Sequence, residues 1–134
     1  MIDNFLELYV SAFLSFAPSA INEHYEFPAI LYTESGEAVV FTEEQFTTNS
    51  QNLLQQYKSI GVGKIDYEIL NESQASNSLK LIAVLWHFKK SNGELIYSAQ
   101  TNYLLKNSGN GYKIASVIMV NESTEFSKVA GKQI

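Results

Sequence analysis

The chain has no cysteine and no arginine, only two prolines and a single tryptophan. Without cysteine, disulfides, thiolate catalysis and cysteine-held metals are excluded outright. Arginine is the fork that grips carboxylates and phosphates through two parallel hydrogen bonds, and lysine replaces it only as a point charge. All nine positive residues are lysine and the net charge is −5. Such a surface lacks the basic stripe that a phosphate backbone requires, so no nucleic-acid partner is expected. Charged residues make up only 17% of the chain against 46% apolar ones. That balance argues against disorder. No window approaches the ~18 consecutive apolar residues of a membrane span, so no membrane partner is expected either. The opening Met1-Ile2-Asp3-Asn4 lacks the basic start of a secretory signal, and a cytoplasmic location is expected. Asn71-Glu72-Ser73 and Asn121-Glu122-Ser123 match the glycosylation sequon, which has meaning only in a eukaryotic secretory pathway.

What is present reads as one domain of 134 residues, long enough to bury a sizeable core. Ile2, Phe5, Leu6, Tyr9, Phe13 and Phe16 recur at helical spacing, with Asp3 as candidate N-cap. A short second helix is expected from Ser19 to about Tyr25, stopped by Pro28, followed by strands over Ala29 to Tyr32 and Ala38 to Phe41. Thr42-Glu43-Glu44-Gln45 matches a capping box opening a longer helix, with Phe46, Leu53, Leu54, Tyr57 and Ile60 as its buried stripe. Gly61 is placed to end it. Four strands are expected thereafter: Lys64 to Leu70, Leu79 to Lys90, Glu94 to Lys106 and Tyr112 to Val120. The tail from Asn121 to Ile134 is polar and is expected to fray.

Asn92-Gly93 is the strongest hairpin signal, and a two-residue turn there sets the register. Phe88 then lies opposite Tyr97, Trp86 opposite Ala99, and Ile82 opposite Tyr103. Cross-strand partners share a face. One face carries Ile82, Val84, Trp86, Phe88, Tyr97, Ala99, Thr101, Tyr103 and Leu105; being the more apolar and aromatic, it is assigned to the interior. The other carries Leu81, Leu85, His87, Gln100 and Asn102, a mixture that suits a partly wet subunit interface.

This order of elements resembles the nuclear transport factor 2-like superfamily, which includes ketosteroid-isomerase-like and SnoaL-like proteins with a cystatin-like α+β fold. The local matches are Tyr9-Val10-Ser11-Ala12, Tyr25 to Tyr32, Ile82 to Trp86, Asn102 to Leu105 and Gly111 to Ile114. The resemblance covers residues 2 to 120. It implies an α+β cone: a strongly bent antiparallel sheet wrapped around a long helix, with two N-terminal helices and a pocket at the open end. It also implies a homodimer through the opposite sheet face. It is silent on activity, because this fold hosts enzymes and plain binding modules alike.

Under that resemblance Tyr9 matches a first-helix tyrosine that donates to a developing oxyanion in ketosteroid-isomerase-like members. The plain reading is a core tyrosine in the helical stripe. The carboxylate base such a reaction needs would fall near Tyr32 or Thr33, and neither is a carboxylate; Glu34 belongs to what reads as an exposed turn. An epoxide-hydrolase-like Asp-Arg-Asp set is ruled out by the missing arginine. A dehydratase-like arrangement stays open through His24 and His87. No metal site and no cofactor are expected, since two isolated histidines lack ligand spacing. The first reading is a homodimer with an apolar, aromatic small-molecule pocket formed by Tyr9, Phe13, Tyr32, Tyr57, Trp86, Phe88, Thr101 and Tyr103. The alternatives are a lyase or isomerase using Tyr9, His24 and Tyr32 as acid–base groups, and a dimerisation module.

Overall fold

The computed structural model describes residues 2–130. Helix α1 (Ile2–Leu14) buries Ile2, Phe5, Leu6, Tyr9 and Ala12, the face its spacing dictates. Asp3 lies in its first turn rather than ahead of it, and accepts a hydrogen bond from the Tyr67 hydroxyl at 3.0 Å. Helix α2 (Pro18–Asn22) is shorter than expected, with proline at its start, where the missing N–H costs nothing. The chain turns at Glu23 and His24 and enters β1 (Tyr25–Tyr32), which begins four residues before the expected Ala29. Strand β2 (Ala38–Phe41) pairs back on β1.

Helix α3 (Glu43–Ser59) opens with the capping box: the Thr42 hydroxyl accepts from the Gln45 N–H at 3.3 Å, and Gln45 Oε1 accepts from the Thr42 N–H at 3.0 Å. At its far end Gly61 adopts φ +85°, so the chain folds back and the Val62 N–H reaches the Tyr57 carbonyl. The long strands follow: β3 (Lys64–Gln74), β4 (Leu79–Lys89), β5 (Leu95–Asn107) and β6 (Tyr112–Met119). Strand β3 runs four residues past Leu70, through a bulge between Ile69 and Asn71 that lets an exposed polar segment keep pairing with β4.

The six strands form one sheet in the order β2-β1-β6-β5-β4-β3. All neighbours are antiparallel except β1 and β6, which run parallel. Phe88 pairs with Tyr97, Trp86 with Ala99 and Ile82 with Tyr103, as the hairpin argument requires. The turn itself differs. It spans Lys90 to Glu94, with Gly93 at φ +92°, and the register shifts by one between Phe88 and Lys89. The extra residue is absorbed at the hairpin tip, so every side chain below Phe88 keeps its face. Ile82, Val84, Trp86, Phe88, Tyr97, Ala99, Thr101, Tyr103 and Leu105 are all buried, while Leu85, His87, Gln100 and Asn102 are half-exposed.

The tail is where the structure departs furthest from expectation. Residues from Asn121 do not fray but form helix α4 (Glu122–Ala130); residues 131–134 lie outside the described residues. The Asn121 side chain accepts from the Gln100 N–H at 2.8 Å, beyond the point where β6 stops pairing with β5. The Glu34 carboxylate accepts from the Thr124 N–H at 3.0 Å and from its hydroxyl at 2.6 Å. That supplies a first-turn N–H with the partner no helical carbonyl can provide. Phe126 completes the docking by packing edge-on against Tyr97, 5.9 Å between ring centres. No described helix is long and apolar enough to cross a membrane.

Candidate functional site

The concave side of the sheet and the helices enclose two adjoining cavities. The larger, about 400 Å³, lies between α3 and the β1, β2 and β6 side of the sheet. Its walls include Tyr25, Leu31, Phe41, Phe46, Leu53, Val117 and Met119, with Asn49, Asn52 and Gln56 of α3 as polar groups. The smaller, about 30 Å³, is walled by Val10, Tyr57, Ile65, Trp86 and Phe88. That is room for about one water. Tyr9, Phe13, Tyr103 and Glu122 belong to both.

Each residue reaches this space for a local reason. Tyr9 and Phe13 are i and i+4 on the buried stripe of α1, and their rings meet edge to face at 4.9 Å. Trp86, Phe88, Thr101 and Tyr103 point inward because strand side chains alternate and the register puts all four on one face. Tyr57 comes from the last turns of α3 and packs at a tilt against Phe88, 5.0 Å between ring centres. The hydroxyls are organised as well. Tyr9 and Tyr25 share a hydrogen bond of 2.5 Å, and the Trp86 indole N–H donates to the Tyr103 hydroxyl at 3.0 Å.

Two of the residues expected here are elsewhere. Tyr32 is 37% exposed at the end of β1 and lines neither cavity. The pleat explains this: Leu31 points into the cavity, so Tyr32 points away from it. His24 packs edge-on against Phe5 and at a tilt against Tyr9, with ring centres 5.7 and 5.6 Å away, and its Nδ1 contacts the Ala20 carbonyl at 3.1 Å. It borders a shallow outer groove with Asn4, Leu8 and Tyr112, and hydrogen-bonds no tyrosine. His87 lies on the outer face, with Nδ1 2.7 Å from the Ser98 hydroxyl and Nε2 3.6 Å from Glu68. The acid–base trio of Tyr9, His24 and Tyr32 is therefore not assembled.

The group that the sequence reading missed is Glu122. Part of the residue stays exposed at the start of α4, but its carboxylate lies among interior groups. One oxygen accepts from the Thr101 hydroxyl at 2.8 Å and the other from the Tyr57 hydroxyl at 3.1 Å. Burial raises its pKa above the usual carboxylate range; the two hydroxyl donors pull the other way and the Glu34 charge adds to the rise. The interior sheet face thus meets a carboxylate after all, delivered by the tail instead of by a strand. Burial likewise pushes Tyr9, Tyr57 and Tyr103 up, so these phenols act as neutral donors or acceptors. The signal was in the sequence: Glu122, Phe126 and Val129 recur at i, i+4 and i+7, the stripe of a docked amphipathic helix.

Residues 1–122 match the family model described as NTF2-like protein (DUF6841). No curated protein matches the sequence. Among solved structures, a ketosteroid isomerase-like protein from Erwinia carotovora atroseptica is 19% identical, with a TM-score of 0.64 over 87% of this chain and 90% of that one. An NTF-2 like protein of unknown function from Shewanella oneidensis is 13% identical, with a TM-score of 0.68 over 87% of this chain and 93% of that one. A domain of unknown function with a cystatin-like fold from Nostoc punctiforme is 14% identical, with a TM-score of 0.65 over 87% of this chain and 72% of that one. At such identities the likeness establishes the fold and nothing finer.

Proposed function

The chain belongs to the NTF2-like family DUF6841, and from that premise we propose that it is a homodimeric small-molecule-binding protein whose ligand occupies the cone. The observation that carries this reading is the cavity of about 400 Å³ walled by aromatic and aliphatic side chains, with a few polar groups among them. That size and composition are those of sites that take small organic ligands. A domain that served only as a scaffold would have every reason to fill such a space, because each void forfeits packing contacts.

Trp86 is the one tryptophan and it walls the smaller cavity, so its emission is a built-in reporter. Titration with a panel of neutral alkylbenzenes and cyclic ketones is expected to shift that emission saturably for at least one member. A flat response across the panel, with thermal stability unmoved by every compound, contradicts the reading.

A second reading, an acid–base lyase or isomerase, is favoured by one observation only. Glu122 combines a raised pKa with a place beside Tyr9 and Tyr103 in the cavity wall. A carboxyl group with a raised pKa beside hydroxyl partners is the type of group that serves general acid–base chemistry. It predicts deuterium uptake from heavy water into a cyclic ketone of the panel, abolished in Glu122→Gln. Uptake at the uncatalysed rate for every ketone removes it.

A further inference from the structure

We infer that the cone selects an organic ammonium ion, an amine cation on an apolar, ring-bearing body, with Glu122 as its counter-ion. The inference rests on the reading of the cavity as a ligand site and goes on to name the chemistry of the occupant.

Three features of the wall point to positive charge. Glu122 is held as an ionised carboxylate would be: each oxygen accepts from a hydroxyl, Thr101 at 2.8 Å and Tyr57 at 3.1 Å, which leaves further lone pairs free. No lysine among the described residues lines either cavity, and the chain has no arginine. The negative charge therefore lacks a cationic partner in the protein itself, and an unpaired buried charge is strongly unfavourable. A cationic ligand removes that penalty. The larger cavity, which Glu122 also lines, is aromatic along much of its wall: Tyr9, Phe13, Tyr25, Phe41, Phe46 and Tyr103. Ring faces attract ammonium ions, most strongly away from water.

An anionic ligand would meet Glu122 with no cation to balance it. A neutral ligand would leave the carboxylate without a charge partner.

The arrangement also links binding to pH. The titratable groups around Glu122 are Tyr57 on α3, Tyr97 and Tyr103 on β5, Tyr25 on β1, Tyr9 on α1, and Glu34 in the turn after β1. Burial holds the five tyrosines neutral at ordinary pH, while hydrogen bonds from Thr124 lower the pKa of Glu34. Glu122 is thus the group whose ionisation gates the site. Affinity for an ammonium ion rises as pH rises through the ionisation of Glu122 and then levels.

The test is calorimetric titration of the intact protein with two matched pairs of equal shape: benzyltrimethylammonium against neopentylbenzene, and protonated 4-phenylbutylamine against pentylbenzene. The expected result is that each cation binds about tenfold more tightly than its neutral partner, the order of a desolvated cation–aromatic contact plus a charge partner. In Glu122→Gln the ratio between each cation and its neutral partner falls to what the aromatic rings alone supply. Equal or tighter binding of the neutral members overturns the inference and leaves the cavity reading standing. A preference undiminished in Glu122→Gln overturns the role of the carboxylate. No binding of any of the four overturns both.

Discussion

Glu122 is the residue on which most of the site's behaviour turns, because its carboxylate is buried yet held by two hydroxyls. Its folded-state pKa lies above that of an unfolded glutamate, about 4.3. Between those two values the folded state binds more protons than the unfolded one. The stability contribution of Glu122 is therefore fully present below about pH 4.3 and declines as pH rises through the folded-state pKa. In Glu122→Gln this decline is expected to vanish, leaving a flatter stability profile and equal or higher stability at pH 7 by urea unfolding. Tyr9 gives a second prediction at this scale. Its hydroxyl pairs with that of Tyr25 at 2.5 Å in a buried setting. Tyr9→Phe leaves Tyr25 without that partner and is expected to cost about 1 kcal/mol in the same measurement.

Among the elements, α4 is held by side-chain contacts to distant parts of the chain, and one of them is a latch at its exposed first turn. Glu34 accepts two hydrogen bonds from Thr124, and these lower its pKa. The latch contributes above the unfolded pKa of glutamate and is lost as pH falls through the depressed folded value, opposite in sign to Glu122. Glu34→Ala is expected to speed hydrogen exchange at Thr124 and through the first turn of α4 while the amides of β4 and β5 stay protected. Exchange unchanged at Thr124 would mean that Glu122 on Thr101 and Tyr57, with Phe126 against Tyr97, holds the first turn without the latch. The elements that were legible beforehand are those with strong local chemistry. The alternation on β4 and β5 ran through Asn92-Gly93, and the right faces emerged even though the turn was one residue longer, because a bulge at the tip restored the register. The capping box at Thr42 marked the start of α3. What stayed hidden depended on distant partners. The β3 extension is polar and exposed, and only pairing with β4 makes it a strand. The α4 sequence is too polar on average to announce itself, and its anchors Gln100 and Glu34 lie far away in the chain. Reading composition over the tail concealed the periodicity that carried Glu122.

For the molecule as a whole, the sheet has two faces with different characters. The concave one carries the aromatic wall; the convex one carries Leu81, Leu85, His87, Gln100 and Asn102, with Leu81 36% exposed. A homodimer through the convex face predicts that sedimentation finds twice the 15.0 kDa mass of the chain, reduced to one mass in Leu85→Arg. A monomer at every concentration contradicts that part of the account. The central claim concerns the concave face and is tested most directly by a two-dimensional NMR titration with pentylbenzene. The account predicts saturable shifts at the Trp86 indole N–H, at Thr101 and along Phe46 to Leu53, with the convex face unmoved. Shifts confined to Leu81 and Leu85, or none at all, would contradict a ligand-binding cone.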